Sequence, residues 1–168
     1  MYRINQLLGK TVINQATGER LASVDDVVLS EDSRLVIALL LKGNGLLAKP
    51  QVVRWGAVQS IADVIVVRAA EAFVPLNQDA MIADLHKRNN KITGLPLIGM
   101  DGQRVGTVRD IYIDLRGTVL GFEIDPGGVF AGHKFLPVAQ MQTTGKDTMI
   151  ASNTTMKSVK DAEAGLAS

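Results

Sequence analysis

The sequence predicts a mainly β protein, built from two tandem small antiparallel β-barrels joined by a short linker helix. Three observations lead to this prediction. The chain aligns with itself at an offset of 84 residues, each half contains several short apolar runs separated by turn residues, and one amphipathic helical stretch lies between the halves. Small antiparallel sheets of this kind usually close, or nearly close, into a barrel, because closure hides their unpaired edges.

The repeat is clearest where GERLASVDDVVLS (18–30) aligns with GQRVGTVRDIYID (102–114). Glycine, arginine, valine and aspartate recur at the same spacing in both segments. Continued without a gap, this alignment pairs Leu40 with Ile124 and keeps later apolar positions and turns in register. Self-similarity at a fixed offset indicates a duplicated structural unit.

Within the repeat, each copy of this segment is predicted to be an irregular strand. Val24 lies on one side of an alternating pattern and Val27 on the other, and Val108 differs in the same way from Ile111. A change of parity inside a strand predicts a β-bulge or a bend, which in the second copy falls near Asp110.

The chain divides into four predicted segments. A first barrel, a linker helix, a second barrel and a polar tail that we expect to be disordered correspond to residues 1–72, 73–90, 91–152 and 153–168. The tail is small and polar throughout, and such composition does not bury enough apolar surface to order a chain.

The helix within 73–90 is predicted from its apolar face and its flanking residues. Met81, Ile82 and Leu85 fall on one side of a helix, and Asn77 precedes them as a candidate cap. The sequence therefore predicts a linker helix here rather than a third domain.

Composition excludes several classes of function. The 18 basic and 17 acidic residues give a net charge of +1, so no overall field attracts nucleic acid or acidic membranes. The absence of cysteine excludes disulfides, thiolate metal sites and a cysteine nucleophile. The longest apolar run, LVIALLL (35–41), is far shorter than the roughly 20 residues that a transmembrane helix needs. We therefore expect a soluble, cytoplasmic protein without a transmembrane segment.

The second copy carries a glycine-rich turn followed by a valine–aspartate strand, and this motif resembles the PRC-barrel family. The matching residues are Gly94, Asp101, Gly102, Val105, Gly106, Val108, Asp110, Ile111, Ile113 and Asp114. The closing strand, Phe135-Leu136-Pro137-Val138, is similar to that of the family, whereas the first copy matches more weakly, with Ala22 in place of Gly106. The family includes the cytoplasmic domain of the photosynthetic reaction-centre H subunit and the C-terminal domain of a ribosome-maturation factor.

The resemblance implies a fold and carries no catalytic residues to this chain. It favours a non-enzymatic protein-interaction or scaffold module without a cofactor, binding a protein partner and forming a homodimer. Two alternatives follow from the family: an RNA- or ribosome-associated module, and an adapter on a photosynthetic or other membrane complex. The first family member differs by its transmembrane helix and the second by an unrelated N-terminal barrel, which weakens both alternatives.

The candidate interaction surface consists of two apolar pairs beside glycines, at equivalent positions in the two copies. They are Leu46 with Leu47 and Val129 with Phe130. Apolar residues on a long hairpin either fold back onto the other copy or contact another chain. The sequence leaves these two possibilities open.

The charged candidates receive less weight. Lys87, Arg88 and Lys91 form a basic cluster that could contact RNA phosphates, but basic residues also favour the C-terminal end of a helix. Glu123 and Asp125 share one face of a predicted strand, and paired carboxylates can perform acid–base chemistry. We prefer a solvated strand face, so no catalytic residue and no metal ligand is predicted.

Overall fold

The structure is a computed structural model that describes residues 1–43, 49–68, 73–88 and 91–166. It contains two curled sheets, one for each copy of the repeat, and so confirms the mainly β fold with tandem barrel-like units. The strand order is the same in both sheets. Each is antiparallel except for one parallel pair, Thr11–Asn14 with Ile65–Val67 in the first unit and Pro96–Gly99 with Met149–Ala151 in the second.

The helices and strands of the N-terminal half are, in chain order, β1 (Tyr2–Arg3), α1 (Ile4–Leu7), β2 (Thr11–Asn14), β3 (Arg20–Leu29), β4 (Val36–Leu41), β5 (Gln51–Arg54), β6 (Val58–Ile61), β7 (Ile65–Val67), β8 (Phe73–Pro75) and α2 (Ala80–Arg88). The sheet of the first unit has the strand order β6-β7-β2-β3-β4-β5-β8. The N-terminal β1 crosses to the other unit, where it pairs with β10.

The elements of the second unit are β9 (Pro96–Gly99), β10 (Arg104–Ile113), β11 (Val119–Asp125), β12 (Lys134–Pro137), β13 (Met141–Thr144), β14 (Met149–Ala151), β15 (Lys157–Ser158) and α3 (Val159–Leu166). Its sheet repeats the order of the first as β13-β14-β9-β10-β11-β12-β15.

The predicted bulges are present in both long strands. Pairing of β3 with β4 shifts register between Val24 and Asp26, and pairing of β10 with β11 shifts between Val108 and Asp110. The side chain of each aspartate accepts a hydrogen bond from the following backbone N–H, at 2.8 Å in both units. The shared aspartate therefore stabilises the bulged backbone.

The ungapped alignment is wrong beyond the first hairpin. Asp26 pairs with Leu40, whereas the equivalent Asp110 pairs with Glu123, so Leu40 corresponds to Glu123 and not to Ile124. The reason is that the turn after β10 is one residue shorter than the turn after β3. The shorter turn places Gly117 at a φ of +85°, where the first unit has Ser33 at +59°.

The predicted linker helix is present between the two units and packs on the first. Strand β8 adds to β5, and α2 then packs on the outer face of the sheet. There Ile82 is fully buried against Val28, Leu40 and Val52. Asp79 rather than Asn77 caps the helix, since its side chain accepts a hydrogen bond from the N–H of Ile82 at 3.2 Å.

The predicted disordered tail contains an ordered strand and helix in the part that the structure describes. Strand β15 pairs with β12, as β8 pairs with β5 in the first unit. Helix α3 follows, with the Ser158 hydroxyl accepting a hydrogen bond from the N–H of Asp161, and it packs Val159 and Ala162 on the sheet. The duplicated unit therefore includes its C-terminal helix.

The two units share one apolar core. Leu39 of the first unit and Phe122 of the second lie in the same buried cluster. The two hairpin turns also hydrogen-bond to each other, through Val36 N–H to Gly117 O at 2.8 Å and Val119 N–H to the carbonyl of Arg34 at 2.9 Å. No helix within the described residues is long and apolar enough to cross a membrane.

Candidate site around Glu123 and the 126–133 loop

Glu123 is a buried carboxylate at a position where the fold accepts an aliphatic side chain. In the first unit, the outer sheet face under α2 carries an apolar cluster that includes Leu40. In the second unit, Glu123 occupies the position of Leu40 and is only 7% exposed. Burial of a carboxylate is unfavourable unless partners stabilise it, so this exchange marks a local specialisation.

The Glu123 cluster, defined here as Arg3, Tyr112, Glu123, His133 and Glu163, draws on five elements of the chain: β1, β10, β11, the 126–133 loop and α3. One Glu123 oxygen lies 2.5 Å from Nδ1 of His133. The other accepts a hydrogen bond from the Tyr112 hydroxyl at 3.2 Å and lies 3.7 Å from the Arg3 guanidinium. The same hydroxyl lies 3.4 Å from Oε1 of Glu163. Both oxygens of Glu123 are therefore engaged.

Tyr112 remains a hydrogen-bond donor in this environment. Burial, and then the negative charge of Glu123, raise the pKa of its phenol above the ordinary value of 10.0. A protonated phenol has one hydrogen to donate, and two carboxylates lie within reach of it. The ring of Tyr112 also packs edge-on against Phe135, with centroids 5.5 Å apart.

Asp110 faces Glu123 directly across the two strands. It is buried, and burial raises the pKa of its carboxyl above the ordinary value of 3.8, with a smaller contribution from Glu123. Oδ1 accepts hydrogen bonds from the backbone N–H of Asn5 at 3.1 Å and of Ile111 at 2.8 Å. The N-terminal segment thus closes over the bulge of the second unit.

The 126–133 loop joins β11 to β12 and presents the exposed pair Val129 and Phe130. These side chains are 93% and 99% exposed. At the start of the loop, Asp125 accepts a hydrogen bond from Gly127 N–H at 2.8 Å and pairs with Arg109 at 2.7 Å. The hydrogen bonds from Arg109 lower the pKa of the Asp125 carboxyl below 3.8.

The loop borders an open cavity of about 590 Å³ whose far wall is the start of α3. Its lining includes Glu123, Val129, Phe130, His133 and Lys160. Within the described parts of the chain, no group of three or more His, Asp or Glu side chains could hold a metal ion. The arrangement positions a loop through ion pairs and hydrogen bonds, and it leaves apolar surface available for contact.

The sequence-predicted residues fall in different places. Val129 and Phe130 are exposed together at the loop tip, whereas Leu46 and Leu47 lie outside the described residues. In the basic cluster, Arg88 pairs with Asp84 at 2.8 Å and approaches Glu31 at 3.8 Å. Lys87 and Lys91 are exposed, near the end of α2.

The prediction of a solvated face for Glu123 and Asp125 is wrong for Glu123. The two carboxylates have separate partners: Glu123 contacts His133 and Tyr112, whereas Asp125 pairs with Arg109. The residues that sequence reasoning did not select are Arg3, Tyr112 and Glu163. A one-residue gap in the repeat alignment would have placed Glu123 opposite Leu40 and indicated a buried carboxylate.

Comparison with known proteins agrees with this architecture. The profile of the PRC-barrel domain family matches the chain twice, over residues 1–74 and 86–156. No curated protein matches the sequence significantly. The two matches cover most of the chain and coincide with the two sheets, and on this evidence the chain belongs to the PRC-barrel domain family.

Proposed function

We propose that this protein is a non-enzymatic protein-interaction module whose contact surface is the Val129–Phe130 tip. The observation that carries the proposal is the nearly complete exposure of two adjacent large apolar side chains. Burying an aromatic and an aliphatic side chain in a contact is favourable by a few kcal/mol. Adjacent exposed apolar residues on an ordered loop are typical of a recognition surface.

The occupant we propose is a second copy of the chain. The same molecule has a cavity of about 390 Å³ between its two units, lined by apolar side chains that include Ile4, Leu8 and Ile111 and by polar side chains that include Asp26 and Lys91. This volume is sufficient for a phenyl ring. A reciprocal exchange, in which Phe130 of each copy enters the cavity of the other, would give the isologous contact of a two-fold dimer.

An RNA-binding role receives less support. Arg88 of the basic cluster is already paired with acidic side chains, and Phe130 lies in the other unit, away from the cluster in the sequence. Single-strand binders combine a basic groove with aromatic stacking residues. The described surface does not bring these two features together on one element.

Sedimentation velocity over a concentration series tests the proposal. The intact chain should sediment as a dimer, and Phe130→Asp should raise the dimer dissociation constant roughly tenfold or more, because central aromatic residues dominate interface energies. Met100→Asp, a change at an unrelated side chain that is 69% exposed, is the control and should leave the dimer intact.

Site-specific photo-crosslinking in the host distinguishes the occupants. A benzophenone amino acid at position 130 should form a covalent adduct with another copy of this chain, and the same group at position 100 should not. An adduct with a different protein would support the interaction module but contradict a second copy of the chain as its occupant. A monomeric chain, with adducts to RNA alone or to nothing, would contradict the proposal.

A further inference from the structure

The tip of the 126–133 loop depends on the loop's two ends for its position. Within the described residues, no hydrogen bond joins residues 128–132 to either sheet, and the one backbone bond inside this stretch, Ala131 N–H to Gly128 O, is long at 3.4 Å. Gly127 and Gly128 both have positive φ, at +82° and +94°. A segment with so few contacts takes its order from its attachment points.

The end at His133 is attached to the interior of the molecule. Its imidazole contacts Glu123, and Glu123 in turn contacts Tyr112 of β10 and Arg3 of β1. The opposite end is attached at the surface, because the guanidinium of Arg109 that pairs with Asp125 is half exposed. Exposed ion pairs contribute little to order, whereas charged hydrogen bonds to a buried carboxylate are stronger.

The duplication provides an internal comparison. Strand pairing places Glu123 at the position of Leu40, and Lys134 at the position of Gln51, so His133 corresponds to Pro50. The first unit therefore lacks both members of the pair and still forms the same sheet. The barrel does not require a buried carboxylate here, and the pair occurs in the unit that carries the exposed Val129–Phe130 tip.

We infer that Glu123 is a positioning residue, which fixes the presentation of the Val129–Phe130 tip by holding His133 at the base of the loop. This inference rests on the proposed function of the tip, and it names the residue that fixes the position of the tip. Loss of the Glu123–His133 contact would release the loop without unfolding the sheet. The released tip would bind its partner more weakly, because the loop would lose conformational entropy on binding.

A purely structural role for Glu123 predicts that its replacement disrupts the sheet, whereas a role in positioning the loop predicts that the sheet persists. The sheet can persist because replacing a buried charged group by an apolar side chain of similar volume is often neutral or stabilising for a fold. Glu123→Leu introduces the residue that the first unit already has at this position. If Glu123 serves the loop, this variant retains the fold and loses loop order, whereas a structural role predicts loss of the fold itself.

The test is backbone and imidazole NMR on the full chain, which needs no partner. In the wild type, amide order parameters of residues 127–132 should be close to those of the strands, about 0.85, and the Nδ1 proton of His133 should give a downfield resonance. In Glu123→Leu, the loop values should fall below about 0.6, the downfield resonance should disappear and the strand resonances should persist.

Two further variants complete the test. Glu123→Gln retains an oxygen that accepts a hydrogen bond from His133. Unlike Glu123→Leu, it should therefore keep both the loop order and the downfield resonance of the wild type. His133→Leu removes the contact from the half-exposed loop side, so it tests the inference independently of whether Glu123→Leu folds. Wild-type loop order in Glu123→Leu or in His133→Leu would overturn the inference.

The outcome is separable from that of the proposed function. Loop order is measured on the chain alone, and dimerisation is measured by sedimentation. Release of the loop in a chain that does not dimerise would support the positioning role and contradict the proposed occupant. A dimer lost on Phe130→Asp, with the loop unchanged in Glu123→Leu, would support the function and contradict the positioning role.

Discussion

At the scale of single residues, two buried carboxylates face each other across β10 and β11. Asp110 and Glu123 are a directly opposed pair, and like charges in such positions disfavour the sheet. The groups around the two carboxylates offset this repulsion to different extents. Glu123 has the Arg3 guanidinium and the His133 imidazole as side-chain partners, whereas the hydrogen bonds to Asp110 come from backbone N–H groups. At Asp110, burial outweighs these hydrogen bonds and disfavours the ionised carboxylate.

Asp110→Asn should raise the melting temperature at pH 7 and give no such gain near pH 3. Burial raises the pKa of Asp110 above 3.8, so the stability that its protonated form contributes is present at low pH and lost as pH rises through that pKa. Asparagine does not titrate, and its side-chain oxygen still accepts the hydrogen bonds from Asn5 and Ile111.

Asp125→Asn is the matched control because the pKa of Asp125 is shifted in the opposite direction to that of Asp110. Arg109 lowers the pKa of Asp125, so the contribution of this carboxylate is present at neutral pH and lost as pH falls. The control should lower the melting temperature at pH 7 and have less effect near pH 3. Thermal melts followed by circular dichroism at both pH values measure the two differences. A gain for Asp110→Asn that is equal at both pH values would contradict the argument.

Residue-level prediction from the sequence succeeded where a local pattern determined the structure. The parity change at Val108 and Ile111 located the bulge correctly, since alternation along a strand reports directly on which face is buried. Burial of Glu123 was missed, because it depends on the length of a turn several residues away. A one-residue difference in that turn moves the following side chains to the opposite face in the alignment.

At the scale of elements, the helix that follows each sheet in the chain packs on the outer face of that sheet. The two helices use different surfaces. Ile82 of α2 enters an aliphatic cluster, and α3 covers Tyr112 and Phe135 with the smaller Ala162. The sequence predicted the first helix, which links the two units, from its apolar face but not its packing on the first sheet, and it missed the second helix. Short helices gain most of their stability from tertiary packing, which composition does not reveal.

Ile82→Ala should lower the free energy of unfolding by roughly 2–5 kcal/mol, the range for truncation of a fully buried aliphatic side chain. The reason is that the linker helix α2 packs on the first unit through this side chain. Met81→Ala, at the neighbouring half-exposed position, is the control and should change stability by no more than about 0.5 kcal/mol. Urea denaturation followed by circular dichroism measures both. If both variants lower the free energy of unfolding by the same small amount, α2 does not pack on the first unit in solution.

At the scale of the whole molecule, the two units are joined by contacts that the repeat does not duplicate. Trp55, the single tryptophan of the chain, lies in the first unit and donates a hydrogen bond to the carbonyl of Leu115 in the second, at 3.1 Å. Strand pairing places Val138 at the equivalent position in the second unit. Self-alignment identified the two units, but it contains no information about the unique residues that join them.

Gly117→Ala should therefore destabilise both units together. Gly117 has a φ of +85°, and a Cβ at this position would lie 2.7 Å from the indole of Trp55. Unfavourable φ and overpacking together should lower the free energy of unfolding by roughly 2–4 kcal/mol. Gly18→Ala is the matched control: its φ is +72° and a Cβ there would meet nothing within 4 Å, so the backbone strain alone should cost about 1 kcal/mol.

Two probes determine whether the loss is shared. Tryptophan fluorescence reports on the junction and far-ultraviolet circular dichroism on both sheets, so a molecule with one continuous core should give coincident urea transitions. Gly117→Ala should move both transitions by the same amount, because the core that contains Leu39 and Phe122 belongs to both units. A fluorescence transition that precedes the circular dichroism transition, or a two-step dichroism curve, would mean that the units unfold separately.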